Sequence, residues 1–195
     1  MRIFIAIDLD DAIRERIQRF LEGMSEFAPG VRWVRPESLH VTLKFIGEKP
    51  PEAVDEIKFA LSAIQTQALE ITFRGYGFFP GPKAPRVFWV GIESGPQLAA
   101  LAKAADEAVF ALGVPREAHP FSPHLTLARG GGGSGAPHQR KRDDPNKTFA
   151  RLQEKLAARP TPEFGTMTAH EFFLYESQTG RGGSRYSKIA RFALK

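Results

Sequence analysis

Apolar residues alternate with polar or small ones along several short stretches of the chain, and between these stretches they recur at three- and four-residue intervals. Over Arg2 to Asp8, Ile3, Ile5 and Ile7 fall on one side and Phe4 and Ala6 on the other, the pattern of a strand covered on both faces. Asp10 or Asp11 then suits the cap of a helix whose Ile13, Ile17, Phe20 and Leu21 lie on one face up to about Ser25. Pro29-Gly30 turns the chain into a short strand, Val31 to Val34, and Pro36-Glu37-Ser38 leads into a longer one beginning at His40. A second helix starts at Pro51 or Glu52 and presents Val54, Ile57, Leu61 and Ile64. Strands are expected over Leu69 to Phe79 and Arg86 to Glu93, joined by the turn-rich stretch from Pro80 to Pro85.

A third helix, from Pro96 to Leu112, carries Leu98, Leu101, Ala105, Val109 and Leu112 inward, with Gly113 suited to end it. A fourth is expected over Asn146 to Ala158, followed by strands over Thr166 to Ser177 and Arg185 to Leu194. Strand, helix, strand, strand thus occurs twice with no linker at the midpoint. The expected fold is α+β, one domain over residues 1–195 built of two pseudo-symmetric lobes of mainly antiparallel sheet, with helices outside and a central cleft. Between the halves of the second unit, residues 130–145 combine a glycine run with His138, Arg140, Lys141 and Arg142, and read as a surface loop because they offer little apolar surface to bury.

One phrase is repeated in this pattern: His40-Val41-Thr42-Leu43 and His124-Leu125-Thr126-Leu127. In a strand each His shares a face with the Thr two residues on, while the apolar residues anchor the other face. With five His in the chain, a His-x-Thr arises by accident about 0.2 times, so two copies with matching apolar flanks point to a site. Two imidazoles suit acid and base near neutral pH, and two hydroxyls suit donors to an oxyanion. Metal binding by His40 and His124 lacks support, because neither a His-Glu-x-x-His nor a carboxylate cluster accompanies them. The glycine run satisfies G-x-G-x-x-G only formally, since no helix opens there, and no phosphate-loop or nucleophile-elbow motif occurs. His119, His138 and His170 have no matching Thr and read as surface or structural residues.

Composition narrows the picture further. The 195 residues carry no Cys, which removes disulfides, thiolate nucleophiles and Cys-ligated metals. The apolar run Ile3 to Ile7 is too short for a signal core and no stretch approaches about 20 apolar residues, so a cytoplasmic protein without membrane contact is expected. A net charge of +5 favours a polyanionic partner.

The blocks around the two phrases are specific in combination: Met1 to Asp8, Arg32-Trp33-Val34, Lys44-Phe45-Ile46-Gly47-Glu48, Phe79-Pro80, Pro85 to Gly91, Pro120-Phe121-Ser122-Pro123, Ala128-Arg129 and Phe173-Leu174-Tyr175-Glu176-Ser177. In this order they resemble the RNA 2′,3′-cyclic phosphodiesterases, or 2′-5′ RNA ligase family, of the two-histidine phosphoesterase superfamily; the glycine-rich stretch after Arg129 departs from it. The resemblance implies hydrolysis of RNA 2′,3′-cyclic phosphate ends, tRNA fragments among them, to a 2′-phosphate, with weak reverse 2′-5′ joining, no metal or other cofactor, and a monomer. It implies catalysis by His40 and His124, with Thr42, Thr126 and Arg129 binding substrate. It further suggests His124 as base and His40 as acid. Strict strand alternation puts Lys44 on the face of His40, where a cation lowers the imidazole pKa and argues against an acid. Phe45, Phe79 and Phe121 are candidates for stacking on a base. Two other readings compete: a phosphodiesterase for a small cyclic nucleotide such as ADP-ribose 1″,2″-cyclic phosphate, and a non-catalytic protein that holds RNA ends. Intact His and Thr in both phrases argue against the last. The basic loop is expected to guide RNA beyond its terminal nucleotide.

Overall fold

A computed structural model describes residues 1–130 and 147–195. The expected loop over 130–145, with His138, Arg140, Lys141 and Arg142, lies outside the described residues apart from Gly130.

Two antiparallel sheets form the molecule. The first runs in the order β3 (His40–Glu48), β1 (Arg2–Asp8), β8 (Glu171–Gly180), β9 (Gly183–Ala193). The second runs β2 (Val31–Trp33), β6 (His124–Gly130), β5 (Val87–Ser94), β4 (Leu69–Phe79), β7 (Glu163–Ala169). Omitting the edge strand β2, each sheet begins with a motif strand paired to a neighbour that precedes it in the chain, which is the expected pseudo-symmetry.

The helices interlock the lobes. Helix α1 (Asp11–Met24) follows β1 of the first sheet yet packs on the second, its Phe20 edge-on to Phe164 of β7 at 5.2 Å. Helix α3 (Pro96–Phe110) follows β5 of the second sheet and packs beneath β3 of the first, beside α2 (Pro51–Ser62). Helix α4 (Ala150–Ala157) is entered through a 3-10 turn at Lys147–Phe149. One continuous set of buried apolar side chains therefore draws on both lobes, from Ile5 and Val41 to Leu125 and Phe88. Asp10 caps α1 by accepting from the Ile13 amide at 2.9 Å, and Pro51 and Pro96 open α2 and α3 as the sequence suggests.

Two expectations need correction. The single strand over Thr166 to Ser177 is two strands, and the chain changes sheets at His170. With no Gly or Pro at the break and β-forming residues on both sides, nothing local marks it; pairing of β7 to β4 and β8 to β1 does. Leu112 is exposed rather than inward, because α3 ends at Phe110 and Gly113, at φ 82°, redirects the chain.

Candidate active site

His40 opens β3 and His124 opens β6. Each ring is held in the same way: the Nδ1–H of His40 donates to the Ser38 carbonyl and that of His124 to the Ser122 carbonyl, both at 2.8 Å. A carbonyl only accepts, so the proton on each Nδ1 is committed and both Nε2 atoms stay available for proton transfer. Among the described residues the hydroxyls of Thr42 and Thr126 have no hydrogen-bond partner, and both side chains are half-buried.

Both motif strands bulge directly after the Thr. In β3, Thr42 pairs with Ala6 and Lys44 with the adjacent Ile5, leaving Leu43 extra. In β6, Thr126 pairs with Trp89 and Ala128 with the adjacent Phe88, leaving Leu127 extra. A bulge places two consecutive residues on one side of the strand and reverses the parity of everything after it. Leu43 and Lys44, like Leu127 and Ala128, therefore point into the core, while Phe45 and Arg129 return to the face of the imidazoles. Uninterrupted alternation would have turned Arg129 away from His124.

The bulge overturns the expectation that Lys44 shares the face of His40. Lys44 is only 3% exposed; its ammonium donates to the Pro115 carbonyl at 2.7 Å and pairs with Asp106 at 2.6 Å and Glu117 at 3.3 Å. Burial alone would raise the Asp106 carboxyl, but the hydrogen bond and charge of Lys44, the Glu117 amide and Arg116 together hold it below its ordinary value. The cluster clasps the connection from α3 to β6, the segment that carries Ser122 and delivers His124.

The two imidazoles differ in surroundings. His40 lies on an aromatic floor, 4.8 Å from Phe4 and edge-on to Tyr186 at 5.1 Å, with Phe4 stacked on Tyr175. Burial pushes its pKa below 6.5, with Arg129 and Arg14 acting in the same direction and the Ser38 carbonyl and Asp8 opposing. β3 and β6 pack against each other, which brings the second motif close to the first. Asp8, cross-strand from His40, is held by Arg14 and by Lys188 at 2.5 Å. A cavity of about 310 Å³ opens between Asp8, Ser38, His40, Tyr175, Tyr186 and Lys188. His124 instead meets Phe79 edge-on at 4.9 Å and Trp89 at 6.3 Å. The indole lies flat over Gly77, where a Cβ would come within 2.2 Å of it.

Of the expected aromatics, Phe79 touches His124, and Phe45 is 56% exposed beside Phe4. Phe121 packs partly buried against the core, without a ring contact to either imidazole. His119 and His170 are exposed. The sequence reading missed Asp8, Tyr186 and Lys188; nothing near Tyr186 and Lys188 in the chain signals a site, and only the pairing of β8 with β9 brings them there. Among the described residues no three His, Cys, Asp or Glu side chains gather in a way that could hold a metal ion.

Comparison with known proteins shows a duplication along the chain. The family model described as LigT-like phosphoesterase matches twice, over residues 7–89 and 90–186, so that each copy contains one His-x-Thr. The chain is 35% identical over 192 residues to the RNA 2′,3′-cyclic phosphodiesterase of Archaeoglobus fulgidus, covering 98% of this chain and 99% of that protein. It is 30% identical to the protein of that name from Methanothermobacter thermautotrophicus, covering 100% and 99%. Among solved structures, E. coli LigT in complex with 3′-AMP superposes with a TM-score of 0.76 at 27% identity, covering 99% of this chain and 97% of that one. The duplicated match and the full-length relatives lead to one conclusion: this chain is a phosphoesterase of the LigT-like family.

Proposed function

We propose that the chain hydrolyses RNA 2′,3′-cyclic phosphate ends to 2′-phosphates. The observation that carries this reading is the pair of imidazoles, each with Nδ1 committed to a carbonyl and Nε2 available, each beside an unengaged Thr hydroxyl. Relatives that match over their full length and bear the name RNA 2′,3′-cyclic phosphodiesterase support the substrate class.

In the proposed reaction His124 Nε2 takes a proton from water, the water oxygen bonds to phosphorus, and the P–O3′ bond breaks. His40 Nε2 donates its proton to the departing 3′-oxygen, leaving a 2′-phosphomonoester and a 3′-hydroxyl. Thr42, Thr126 and Arg129 hold the non-bridging oxygens, where charge accumulates; losing one such donor typically costs 10²- to 10³-fold. Burial favours neutral His40 in the free protein. A phosphodiester anion between the rings favours the protonated form, so substrate itself restores the acid. With a 5′-hydroxyl in place of water the same forward steps give weak 2′-5′ joining: the 5′-oxygen bonds to phosphorus as the P–O3′ bond breaks, His124 taking its proton and His40 protonating the 3′-oxygen. The strained cyclic ester and this donor set need no metal, so activity is expected to survive EDTA. The one-domain, monomeric and cytoplasmic readings belong to the same proposal, and no described helix is long and apolar enough to cross a membrane.

The deciding experiment is incubation with an oligoribonucleotide ending in a 2′,3′-cyclic phosphate, followed by mapping of the product. A 2′-phosphate formed in EDTA supports the proposal; no reaction, a 3′-phosphate, or dependence on an added divalent ion overturns it. A substrate with a leaving group too acidic to need protonation separates the roles: His40→Ala should recover on it and His124→Ala should not. The reverse outcome exchanges acid and base.

A further inference from the structure

The edge strand β2 carries a cation that the reaction does not use. Arg32 pairs directly across from Arg129 of β6, and direct cross-strand partners project from the same face. The flanking pairs fix which face that is: Trp33 opposite Ala128 lies inward, edge-on to Phe88 at 6.0 Å with its Nε1 donating to the Ala28 carbonyl at 3.1 Å, and Val31 is buried. Arg32 therefore projects beside Arg129, on the side that carries Thr126 and His124.

Both guanidinium groups are exposed, and neither has an ion pair or hydrogen-bond partner among the described residues. Several other cations near the motifs are matched: Arg14 and Lys188 by Asp8, Arg35 by Glu37, Lys44 by Asp106. Like charges set directly opposite in a sheet are unfavourable, and this pair is aligned by the register that also positions the second motif. β2 is tied to β6 by pairing that continues to Val34, whose amide donates to the Leu127 carbonyl at 2.8 Å, and to His40 by the short run through the Pro36–Ser38 turn. The two cations thus stand in fixed relation to both imidazoles.

We propose that Arg32, with Arg129 beside it, forms a second phosphate site that holds the phosphodiester on the 5′ side of the terminal nucleotide. Arg129 returns to the imidazole face after the bulge that follows Thr126, on the strand that packs beside β3. Arg32 lies one strand beyond Arg129, about 5 Å farther from the motif strand at its backbone. That offset matches the next phosphate of a polynucleotide and leaves nothing for a cyclic mononucleotide to reach. A guanidinium suits the task because its fork of donors matches phosphate oxygens. The inference deepens the proposed function and rests on it: it makes the preferred substrate an RNA end rather than a small cyclic nucleotide.

The test compares the wild-type protein with Arg32→Ser and Arg32→Lys on three substrates: a dinucleotide 2′,3′-cyclic phosphate, the same dinucleotide with an uncharged methylphosphonate as its internal linkage, and a mononucleotide 2′,3′-cyclic phosphate. The wild type should favour the charged dinucleotide over the other two. Arg32→Ser should cut that preference about tenfold, mainly through KM, and lower the salt dependence by about one phosphate contact; Arg32→Lys should keep part of it. Equal losses on all three substrates, or a methylphosphonate used as well as the phosphodiester, overturns the second site. If the wild type hydrolyses none of them, the proposed function falls instead. Calorimetric binding of the 3′-phosphorylated dinucleotide against its methylphosphonate analogue then still decides the role of Arg32.

Discussion

The strands β3 and β6 solve one structural problem twice with different side chains. Both begin with a His whose Nδ1–H is held by a carbonyl two residues back, both place a Thr on the same face, and both bulge immediately afterwards. The residues delivered by the bulge differ. Into the core, β3 sends Lys44 and β6 sends Ala128; back to the imidazole face, β3 returns exposed Phe45 and β6 returns Arg129. The duplicated backbone geometry is thus kept where it fixes the two imidazoles, each by its Nδ1. It is free to diverge one bulge later, giving an aromatic side suited to a base and a cationic side suited to phosphates.

The largest effects should come from what the two strands share. His40→Ala and His124→Ala should each lose 10²- to 10⁴-fold in kcat, while the exposed His119→Ala and His170→Ala stay near wild type. Steady-state kinetics on a cyclic phosphate substrate checks this, and a near-wild-type rate in either motif variant would break the equivalence.

Next is the core residue that they do not share. Lys44→Met removes the ammonium shared by Asp106 and the Pro115 carbonyl and should cost about 1 to 3 kcal/mol in denaturant unfolding. The sign with pH follows from Asp106. Its folded-state pKa is depressed, so its contribution is present above the unfolded Asp value and is lost as pH falls through the folded one. Wild-type stability should therefore drop in acid more steeply than that of the Lys44→Met/Asp106→Leu double variant. Equal slopes would remove the pair from the acid response.

A smaller effect is expected at Phe45. If it stacks on a base, Phe45→Ala should raise KM by about tenfold, roughly the worth of one base–aromatic contact, with kcat little changed. An unchanged KM would leave the aromatic side without a ligand.

The smallest effect is electrostatic. His40 should titrate below 6.5 by NMR. Arg129→Gln should move the His40 titration upward only slightly, because burial is the first cause of the depression and Arg129 only a lesser one. No movement would place the guanidinium farther from His40 than its field indicates.

Local pattern was enough for the elements and the motifs. Alternation in β1, helical spacing in α1 to α3, proline at two helix starts and a repeated His-x-Thr are all properties of neighbours in the chain, and their physics acts over a few residues. They also determined that each His would share a face with its Thr. What the chain could not declare depended on partners far away in it. The bulges exist because β1 and β5 impose a register on β3 and β6, and they alone send Lys44 inward and Arg129 outward. The break at His170 follows from two sheets competing for adjacent segments. The lowered pKa of His40 needs Phe4, Tyr175 and Tyr186 from three different strands, and the alignment of Arg32 with Arg129 needs an edge pairing between residues almost a hundred positions apart. Sequence pattern sets which side chains can share a face over a few residues, because pleat and helical pitch are local. Register, parity and burial are set by pairing and packing across the fold, so only the tertiary structure could decide them.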